Sequence, residues 1–195
     1  MEKHILIIYG SPREGGNTDI LLAEVLKGVR RESKNISIEE VYLRKLSISH
    51  CQECRVCERK GKCVINDDMQ SLHEKLWQAD YIVLASPIFF YSVSSLAKCM
   101  IDRCQTLWAR RYILKRHPDK QEEERGGWFV SVGATRGRNL FEGAILTVKY
   151  FFDAAGVPYR GDLLVRGVDE KGEIQKQKEI LSSAYNLGRK IAALS

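Results

Sequence analysis

Five short runs of apolar and β-branched residues alternate along the chain with stretches whose apolar residues recur at the helical period. The predicted strands span residues 5–9, 36–43, 81–86, 128–134 and 159–168. The predicted helices span residues 18–31, 69–77, 94–108, 140–155 and 174–191. Such alternation is typical of parallel strands joined by crossover helices. With 195 residues the chain can bury a sizeable core in one unit, so we predict a single three-layer α/β domain over 1–195 around a five-stranded parallel sheet.

Two long connections interrupt this alternation, and segments of this length tend to be functional or disordered. One, 50–66, is an insertion between the second strand and the second helix, and the other is 110–126. The charge run 119–125 predicts a solvated loop. A basic run predicts a solvated helix face, with docking of an acidic ferredoxin or of a nicotinamide 2′-phosphate as the alternative. Its residues are Arg110, Arg111, Lys115, Arg116 and His117.

Four of the six cysteines lie within thirteen residues, at Cys51, Cys54, Cys57 and Cys63. Three cysteines at every third position of a loop can converge on one compact inorganic core, and the fourth can close the coordination, as in iron-sulfur proteins. Tetrahedral zinc usually takes two separated pairs, and cysteines three residues apart make poor disulfide partners. We expect an iron-sulfur cluster here, with zinc or reduced, redox-active thiols as the open alternatives.

Composition argues against several classes of partner. The net charge of +6 comes from 31 basic and 25 acidic residues spread along the chain, whereas nucleic-acid binders usually carry a concentrated basic stripe. The apolar run 5–9 is too short to span a membrane, and no signal-peptide cleavage site follows it. We therefore expect a cytoplasmic protein, with reduced thiols, that binds neither nucleic acid nor membrane.

The segment 10–18 follows the first strand, leads into a helix and reads Gly-Ser-Pro-Arg-Glu-Gly-Gly-Asn-Thr. Small and hydroxyl residues let backbone N–H groups point into a concavity that the helix N-terminus makes electropositive. Ser11 and Thr18 add hydroxyls, Asn17 an amide and Arg13 a charge. The segment lacks the lysine of a nucleoside-triphosphate loop and the glycine spacing of a dinucleotide fold. It predicts a site for a terminal monophosphate, with a capped turn that binds nothing as the alternative.

Two further loops follow strands at the same predicted edge of the sheet, where ligands of open parallel sheets bind. After the third strand come Pro87, Ile88, Phe89, Phe90, Tyr91 and Ser92, and Ser94 and Ser95 are predicted to cap the next helix. The aromatic residues could wall a flat ring system, or they could belong to the core or to a subunit interface. After the fourth strand comes a small, polar loop that contains Thr135, Arg136, Gly137 and Arg138. Three loops of ligand-binding type at one edge favour a shared site.

In combination these motifs resemble the flavodoxin-like NADPH-dependent FMN reductase superfamily, and within it the iron-sulfur flavoproteins. The matching segments are 10–18, the cysteine array followed by 67–69, and 86–92 leading to Lys98, Ile101, Asp102 and Arg103. The first and third motifs are shared broadly by flavin reductases. The cysteine spacing is what distinguishes the iron-sulfur branch.

The resemblance implies a flavodoxin-like fold that binds FMN and a 4Fe-4S cluster. The implied phosphate site is Ser11, Arg13, Gly16, Asn17 and Thr18. The implied ring site is Pro87, Ile88, Phe89, Phe90, Tyr91, Ser92, Thr135, Arg136, Gly137 and Arg138. The implied cluster ligands are Cys51, Cys54, Cys57 and Cys63.

The activity that follows is electron transfer between a ferredoxin-like carrier or NAD(P)H and an acceptor, without a catalytic acid or base from the protein. The resemblance also implies a homodimer or homotetramer that brings the cluster and flavin of neighbouring subunits together. Two alternatives stay open at this point. One is a cluster-free NAD(P)H-dependent FMN or quinone reductase, and the other is a flavodoxin-like module that senses redox state through its thiols.

Overall fold

Each predicted apolar run forms a strand in the structure, a computed structural model that describes residues 2–32 and 35–194. The strands are β1 (Lys3–Tyr9), β2 (Ile36–Tyr42), β3 (Tyr81–Pro87), β4 (Gly126–Gly133) and β5 (Tyr159–Arg166). All neighbouring strands pair in parallel, in the order β2-β1-β3-β4-β5. Strands β3 and β4 are buried almost throughout, as expected for parallel strands covered on both faces. The predicted five-stranded parallel sheet is confirmed.

Helices cover both faces of this sheet. They are α1 (Asn17–Glu32), α2 (Val56–Lys60), α3 (Met69–Gln78), α4 (Ser95–Arg103), α5 (Gln105–Trp108), α6 (Glu142–Ala154) and α7 (Lys178–Ala192). Alternate residues of β1 serve the two faces: Ile5 and Ile7 pack with α1 and α7, whereas Leu6 and Ile8 pack with α3, α4, α5 and α6. This is the predicted three-layer arrangement, and among the described residues no helix is long and apolar enough to cross a membrane.

The packing of α1 against α7 depends on two glycines. A methyl group at Gly28 would overlap the carbonyl oxygen of Tyr185, and one at Gly188 would overlap the carbonyl oxygen of Val25. Each helix therefore presents a glycine to the backbone of the other. Any side chain at either position has to push the helices apart.

The helix predicted over 94–108 is interrupted. Of the two predicted caps, Ser94 caps α4, since its Oγ accepts a hydrogen bond from the N–H of Ala97 at 3.2 Å, whereas Ser95 is the first residue of the helix itself. The helix then breaks at Cys104, where ψ is 2°, and resumes as α5 and a π-helical turn, Ala109–Ile113. The last predicted helix starts later than expected, because Ile174 lies in a separate 3₁₀ turn, Glu173–Lys176.

The charged segment 119–125 departs from the prediction of a solvated loop at its last residue. Arg125 is 1% exposed, and its guanidinium donates to carbonyl oxygens near the C-terminal ends of α3 and α6. The acceptors are those of Leu76, Trp77, Ala79, Ala155 and Gly156. A charge run therefore ends in a buried cation that links two helices.

Candidate functional site

The loop between β1 and α1 is tied down by short hydrogen bonds at the carboxyl end of the sheet. The backbone N–H of Gly10 donates to the carbonyl of Ala85 at 2.7 Å, and a Cβ on Gly10 would approach that oxygen to 2.7 Å. Ser11 is buried, and its Oγ donates to the carbonyl of Arg13 while accepting from the N–H of Arg13, at 3.2 and 3.1 Å. The loop is thus folded against the neighbouring strand, and Arg13 is exposed beside it.

Asn17 joins this loop to the connection between β5 and α7. Its Nδ2 donates to the carbonyl of Glu170 at 2.9 Å, and its Oδ1 accepts from the N–H of Ile174 at 3.3 Å. This connection places Asp169 at the site. This fourth loop was not predicted from the sequence, although it lies at the C-terminal end of a parallel strand, where ligand loops occur.

An ion pair that was not predicted from the sequence lies behind residues 10–16, the predicted phosphate-binding loop, which we call the phosphate loop. Asp19 accepts a hydrogen bond from the N–H of Gly15 at 3.0 Å and forms an ion pair with Arg44 at 3.0 Å. Arg44 also donates to the carbonyl of Ser11 at 3.4 Å. Burial raises the pKa of Asp19, and the charge of Arg44 opposes that shift. The ion pair therefore holds the backbone of this loop at two points, Ser11 and Gly15.

The segment after β3 forms a tight hairpin with two aromatic residues at its tip. Phe89 and Ser92 exchange two backbone hydrogen bonds of 3.0 Å. Phe90 and Tyr91 both have positive φ, 48° and 61°, a conformation that costs non-glycine residues of order 1–3 kcal/mol and clusters at functional sites. The side chain of Phe90 is fully exposed. A strained turn that holds an aromatic side chain in water indicates a binding role.

Serine hydroxyls connect this hairpin to the phosphate loop. The Oγ of Ser94 donates to the carbonyl of Gly10 at 2.5 Å, and the Oγ of Ser86 accepts from the N–H of Ser94 at 2.8 Å. Both serines are completely buried. The two loops and the start of α4 therefore form one hydrogen-bonded unit.

The loop after β4 packs against its neighbours on both sides. A Cβ on Gly137 would lie 2.7 Å from the hydroxyl of Tyr91, and a Cβ on Gly167 would lie 2.9 Å from the guanidinium of Arg136. The N–H of Gly167 donates to the carbonyl of Thr135 at 3.2 Å. Because Gly137 has no side chain, the ring of Tyr91 can approach this loop closely.

These loops surround a cavity of about 180 Å³, which we call the edge cavity. It brings together eight of the predicted cofactor residues: Ser11, Arg13, Gly16, Asn17, Thr18, Pro87, Ile88 and Phe89. Pro12, Val132, Ala134, Val168 and Asp169 complete its lining. The other predicted residues lie outside it: Phe90, Tyr91, Ser92, Thr135, Arg136, Gly137 and Arg138.

The cysteine segment lines a separate cavity of about 570 Å³, which we call the cysteine cavity. All four predicted ligands, Cys51, Cys54, Cys57 and Cys63, contribute to its wall. Cys57 lies on the short helix α2, which no sequence pattern predicts and which starts after a left-handed residue, Arg55, with φ 56°. The fold therefore brings cysteines spread over thirteen residues of chain to one cavity.

Asp67 ties the two ends of the cysteine segment together. Its carboxylate accepts from the N–H groups of Ser49 and Met69 at 2.9 and 3.1 Å, and it pairs with both terminal nitrogens of Arg103 at 2.6 and 3.0 Å. Burial would raise the pKa of Asp67, but these hydrogen bonds outweigh it and hold the pKa below its ordinary value. Gln70 closes the same junction by donating to the carbonyl of Cys63 at 2.8 Å.

The other three thiols of the segment lie within electrostatic reach of Cys57. Burial raises the pKa of the Cys57 thiol, and the charges of Cys63, Cys51 and Cys54 raise it further. Over the ranges 2–32 and 35–194, however, no group of three or more His, Cys, Asp or Glu side chains could hold a single metal ion. Four cysteine thiols on the wall of one cavity are nevertheless the donor set that an iron-sulfur cluster uses.

The comparison with known proteins decides the family. The model of the NADPH-dependent FMN reductase family matches residues 4–141. The chain belongs to this family. An iron-sulfur flavoprotein of Methanocaldococcus jannaschii is 32% identical over 195 residues, covering 96% of this chain and 95% of that protein. An iron-sulfur flavoprotein of Clostridioides difficile is 27% identical, with 93% and 85% covered.

A solved structure supports the fold of this FMN reductase family member independently. The NAD(P)H:quinone oxidoreductase of Methanothermobacter marburgensis superposes with a TM-score of 0.73 at 15% identity, over 98% of both chains. The flavodoxin-like fold predicted from the sequence is confirmed. Family membership makes the protein a flavin-dependent oxidoreductase, and the iron-sulfur flavoprotein relatives place it in the predicted branch.

The residues of the edge cavity suit the phosphate end of the FMN that this family uses. Backbone N–H groups at the N-terminus of a helix and an arginine fork both favour a phosphate, and α1 and Arg13 supply them. Pockets for whole small molecules usually enclose about 300–1,000 Å³, so a cavity of about 180 Å³ encloses only part of FMN. The ring system needs the open rim beside it.

Arg110, the first residue of the basic run that was predicted to form a solvated helix face, is buried in the structure. Arg110 is 7% exposed. Its Nε donates to the carbonyl of Gly61 at 2.7 Å, and its terminal nitrogens donate to Glu74 at 3.1 and 2.5 Å. The prediction of a solvated face or a docking site was therefore wrong for Arg110. Its charge is paired with the carboxylate of Glu74, and its Nε–H is bonded to the carbonyl of Gly61.

Proposed function

We propose that the protein is an iron-sulfur flavoprotein that transfers electrons between a ferredoxin-like carrier or NAD(P)H and an acceptor, through FMN and a 4Fe-4S cluster. The observation that carries the proposal is that all four cysteines line one cavity, together with Arg103, whose buried ion pair with Asp67 joins the two ends of the cysteine segment. Free thiols would not need such a frame. When bound, FMN exchanges two electrons together or singly and the cluster exchanges one, so the two convert between two-electron and one-electron partners.

In this proposal the edge cavity holds the FMN phosphate. The N-terminus of α1 and the N–H groups of the loop orient it, Ser11 and Thr18 shape the cavity wall, and Arg13 neutralises its charge. The ring lies along Pro87, Ile88, Phe89, Phe90, Tyr91 and Ser92 and the loop of Thr135, Arg136, Gly137 and Arg138. Gly16 and Asn17 complete the phosphate site, with Asn17 fixing the β5–α7 connection across it.

The protein side of the reaction is positioning and electrostatics. Among the described residues that line the edge cavity, Arg13 and Asp169 are the only charged ones. Cys51, Cys54, Cys57 and Cys63 bind iron in the cysteine cavity. Homodimer or homotetramer formation is part of the proposal, and exposed apolar side chains on α6, Leu146 and Tyr150, support it.

The test is anaerobic purification followed by a visible spectrum and by analysis of flavin, iron, zinc and acid-labile sulfide. We expect FMN together with iron and sulfide in cluster proportion. Cys57→Ala should lose the iron and sulfide while keeping FMN. The matched control is Cys99→Ala, a partly buried cysteine of α4 outside the segment, which should keep both. Unchanged iron in Cys57→Ala would contradict the ligand assignment.

The FMN half of the proposal has its own test, because riboflavin is FMN without the phosphate. Arg13→Ala should weaken FMN binding by about tenfold or more, since a charged hydrogen bond contributes about 1.5–3 kcal/mol. Riboflavin affinity should not change. Arg31→Ala, an exposed arginine at the other end of α1, is the control. Equal losses for both ligands would remove Arg13 from the phosphate site.

A second candidate is a cluster-free FMN or quinone reductase that uses NAD(P)H. It is favoured by the finding that the described residues hold no preformed single-ion metal site. In that case purification yields FMN without iron or sulfide, and Cys57→Ala leaves the reductase activity unchanged. Zinc without iron would instead indicate a structural metal in the same segment.

A further inference from the structure

One donor in the wall of the cysteine cavity is buried and has no partner. Arg103 is 1% exposed and lines this cavity with the four cysteines. Its terminal nitrogens are occupied, by the carboxylate of Asp67 and by the carbonyl of Ser49 at 2.8 Å. Its Nε, in contrast, has no hydrogen-bond partner among the described residues.

Leaving a donor buried in this way is costly. An unsatisfied buried donor costs about 1–3 kcal/mol, and more when it belongs to a charged group. The fork of Arg103 is rigid and planar, so the bonds to Asp67 and Ser49 also fix where Nε lies. The Nε–H group is therefore fixed in position, but no oxygen of the described residues accepts its hydrogen bond.

The nearby chemistry indicates a sulfur acceptor. Arg103 and the four cysteines line the same cavity, and the carboxylate of Asp67 and the carbonyl of Ser49 already occupy the terminal nitrogens of Arg103. The remaining N–H, on Nε, therefore has the cysteine sulfurs of this cavity, that of Cys63 among them, as its candidate acceptors. A cluster held by four thiolates is an anion, and each added electron increases its negative charge, so a neighbouring N–H donor stabilises the reduced form.

We propose that Arg103 is a positioning and tuning residue for the cluster, joining the two ends of the cysteine segment through Asp67 and Ser49 and donating its Nε–H to sulfur on the Cys63 side. This proposal rests on the proposed iron-sulfur function. Its consequence is a higher reduction potential than the same cluster would have without this donor.

The matched control is Arg110, the other buried arginine that holds this segment. It also pairs with a carboxylate, that of Glu74, but its Nε donates to the carbonyl of Gly61, and it does not line the cysteine cavity. Arg103→Lys and Arg110→Lys both keep a positive charge and both lose the Nε–H group. Only the first should affect the cluster's potential.

The experiment begins with iron and sulfide analysis of the wild-type protein, followed by redox titration of the cluster in each variant. We expect Arg103→Gln to lower the equilibrium constant for reduction by about tenfold, or about 59 mV for a one-electron couple. Arg103→Lys should lower it less, and Arg110→Lys should leave it unchanged. Equal potentials in the wild type and both Arg103 variants, with the cluster retained, would overturn the proposed role of Arg103. They would leave the proposed iron-sulfur function intact.

A measurement on the wild-type protein covers the case in which the Arg103 variants lose their cluster. Pulsed electron paramagnetic resonance of the reduced protein, grown with ¹⁵N-arginine, should detect coupling between the cluster and an arginine nitrogen. The coupling should persist in Arg110→Lys. Iron and sulfide present without this coupling would refute the inference, whereas their absence from the wild type would refute the proposed function as well.

Discussion

Replacement of Arg125 by methionine tests how a buried cation stabilises this fold. The side chain makes five hydrogen bonds to carbonyl oxygens, of 2.8 to 3.2 Å, and none to a carboxylate. Its acceptors lie at the C-terminal ends of α3 and α6, where helix dipoles favour a positive charge. Methionine keeps much of the volume but removes every donor.

The size of the effect follows from these contacts. Burial lowers the pKa of Arg125 from 12.5 to about 10, which corresponds to about 3 kcal/mol of lost hydration at about 1.36 kcal/mol per pKa unit. Hydrogen bonds from a charged donor contribute about 1.5–3 kcal/mol each, so five of them outweigh this penalty. In Arg125→Met, if one carbonyl at each helix end stays buried without a donor, the two cost about 1–3 kcal/mol each. We expect the free energy of unfolding to fall by about 2–6 kcal/mol.

The assay is equilibrium unfolding in urea, followed by circular dichroism and tryptophan fluorescence with FMN held at one saturating concentration. The control is Arg160→Met, because Arg160 is exposed and donates to two carbonyls of the same region, those of Glu123 and Arg125. Exposed substitutions usually change stability by about 0.5 kcal/mol or less. If the free energy of unfolding of Arg125→Met falls by less than about 1 kcal/mol, water or rearranged backbone replaces the guanidinium. That result would refute a stabilising role for its five hydrogen bonds.

Three further perturbations follow from the described contacts. Burial lowers the pKa of His73 to about 4, so the unfolded chain takes up this proton first as the pH falls below about 6.5. The stability present above that pH should therefore be lost between about 6.5 and 4, by up to about 3 kcal/mol. Urea titrations of the iron-free protein should show this slope, and it should be weaker in His73→Gln. Gly188→Ala should lower the melting temperature strongly, because its methyl group would overlap the carbonyl of Val25, whereas an equal melting temperature would mean that the helices separate at little cost. Ser94→Ala removes the cap of α4 and the hydrogen bond to the carbonyl of Gly10. We expect the free energy of unfolding to fall by about 1–2 kcal/mol and FMN to bind more weakly in a fluorescence titration. FMN affinity equal to that of the wild type would show that the position of the phosphate loop does not depend on this bond.

The sheet could be predicted because its signal is local and repeated. Runs such as 5–9 and 81–86 are apolar on both faces, which only a strand covered on both sides tolerates, and both proved to be central strands. The break at Cys104 and the short helix α2 carry no comparable signal. The start of α2 depends on the left-handed conformation of Arg55. Non-glycine residues rarely adopt this conformation, so nothing in the sequence points to it.

The buried arginines could not be predicted for a different reason. A charged residue is ordinarily exposed, and Arg103, Arg110 and Arg125 are exceptions only because distant segments present oxygen acceptors to them. Those acceptors, such as Asp67 and Glu74, lie 36 positions away from their arginines in sequence. The cysteine spacing, in contrast, is a local signal, so it predicts a common site without reference to any tertiary contact.

Helix α4 links the two candidate sites within one chain. Its cap, Ser94, donates to the carbonyl of Gly10 at the phosphate loop, and its last residue, Arg103, lines the cysteine cavity. Nine residues at about 1.5 Å each make the helix about 14 Å long. The hydrogen bonds at its two ends therefore fix the separation of the sites through a rigid element rather than through the loops. For this reason the cysteine segment can change without moving the edge cavity, whereas a displacement of α4 as a whole would move the residues at both of its ends.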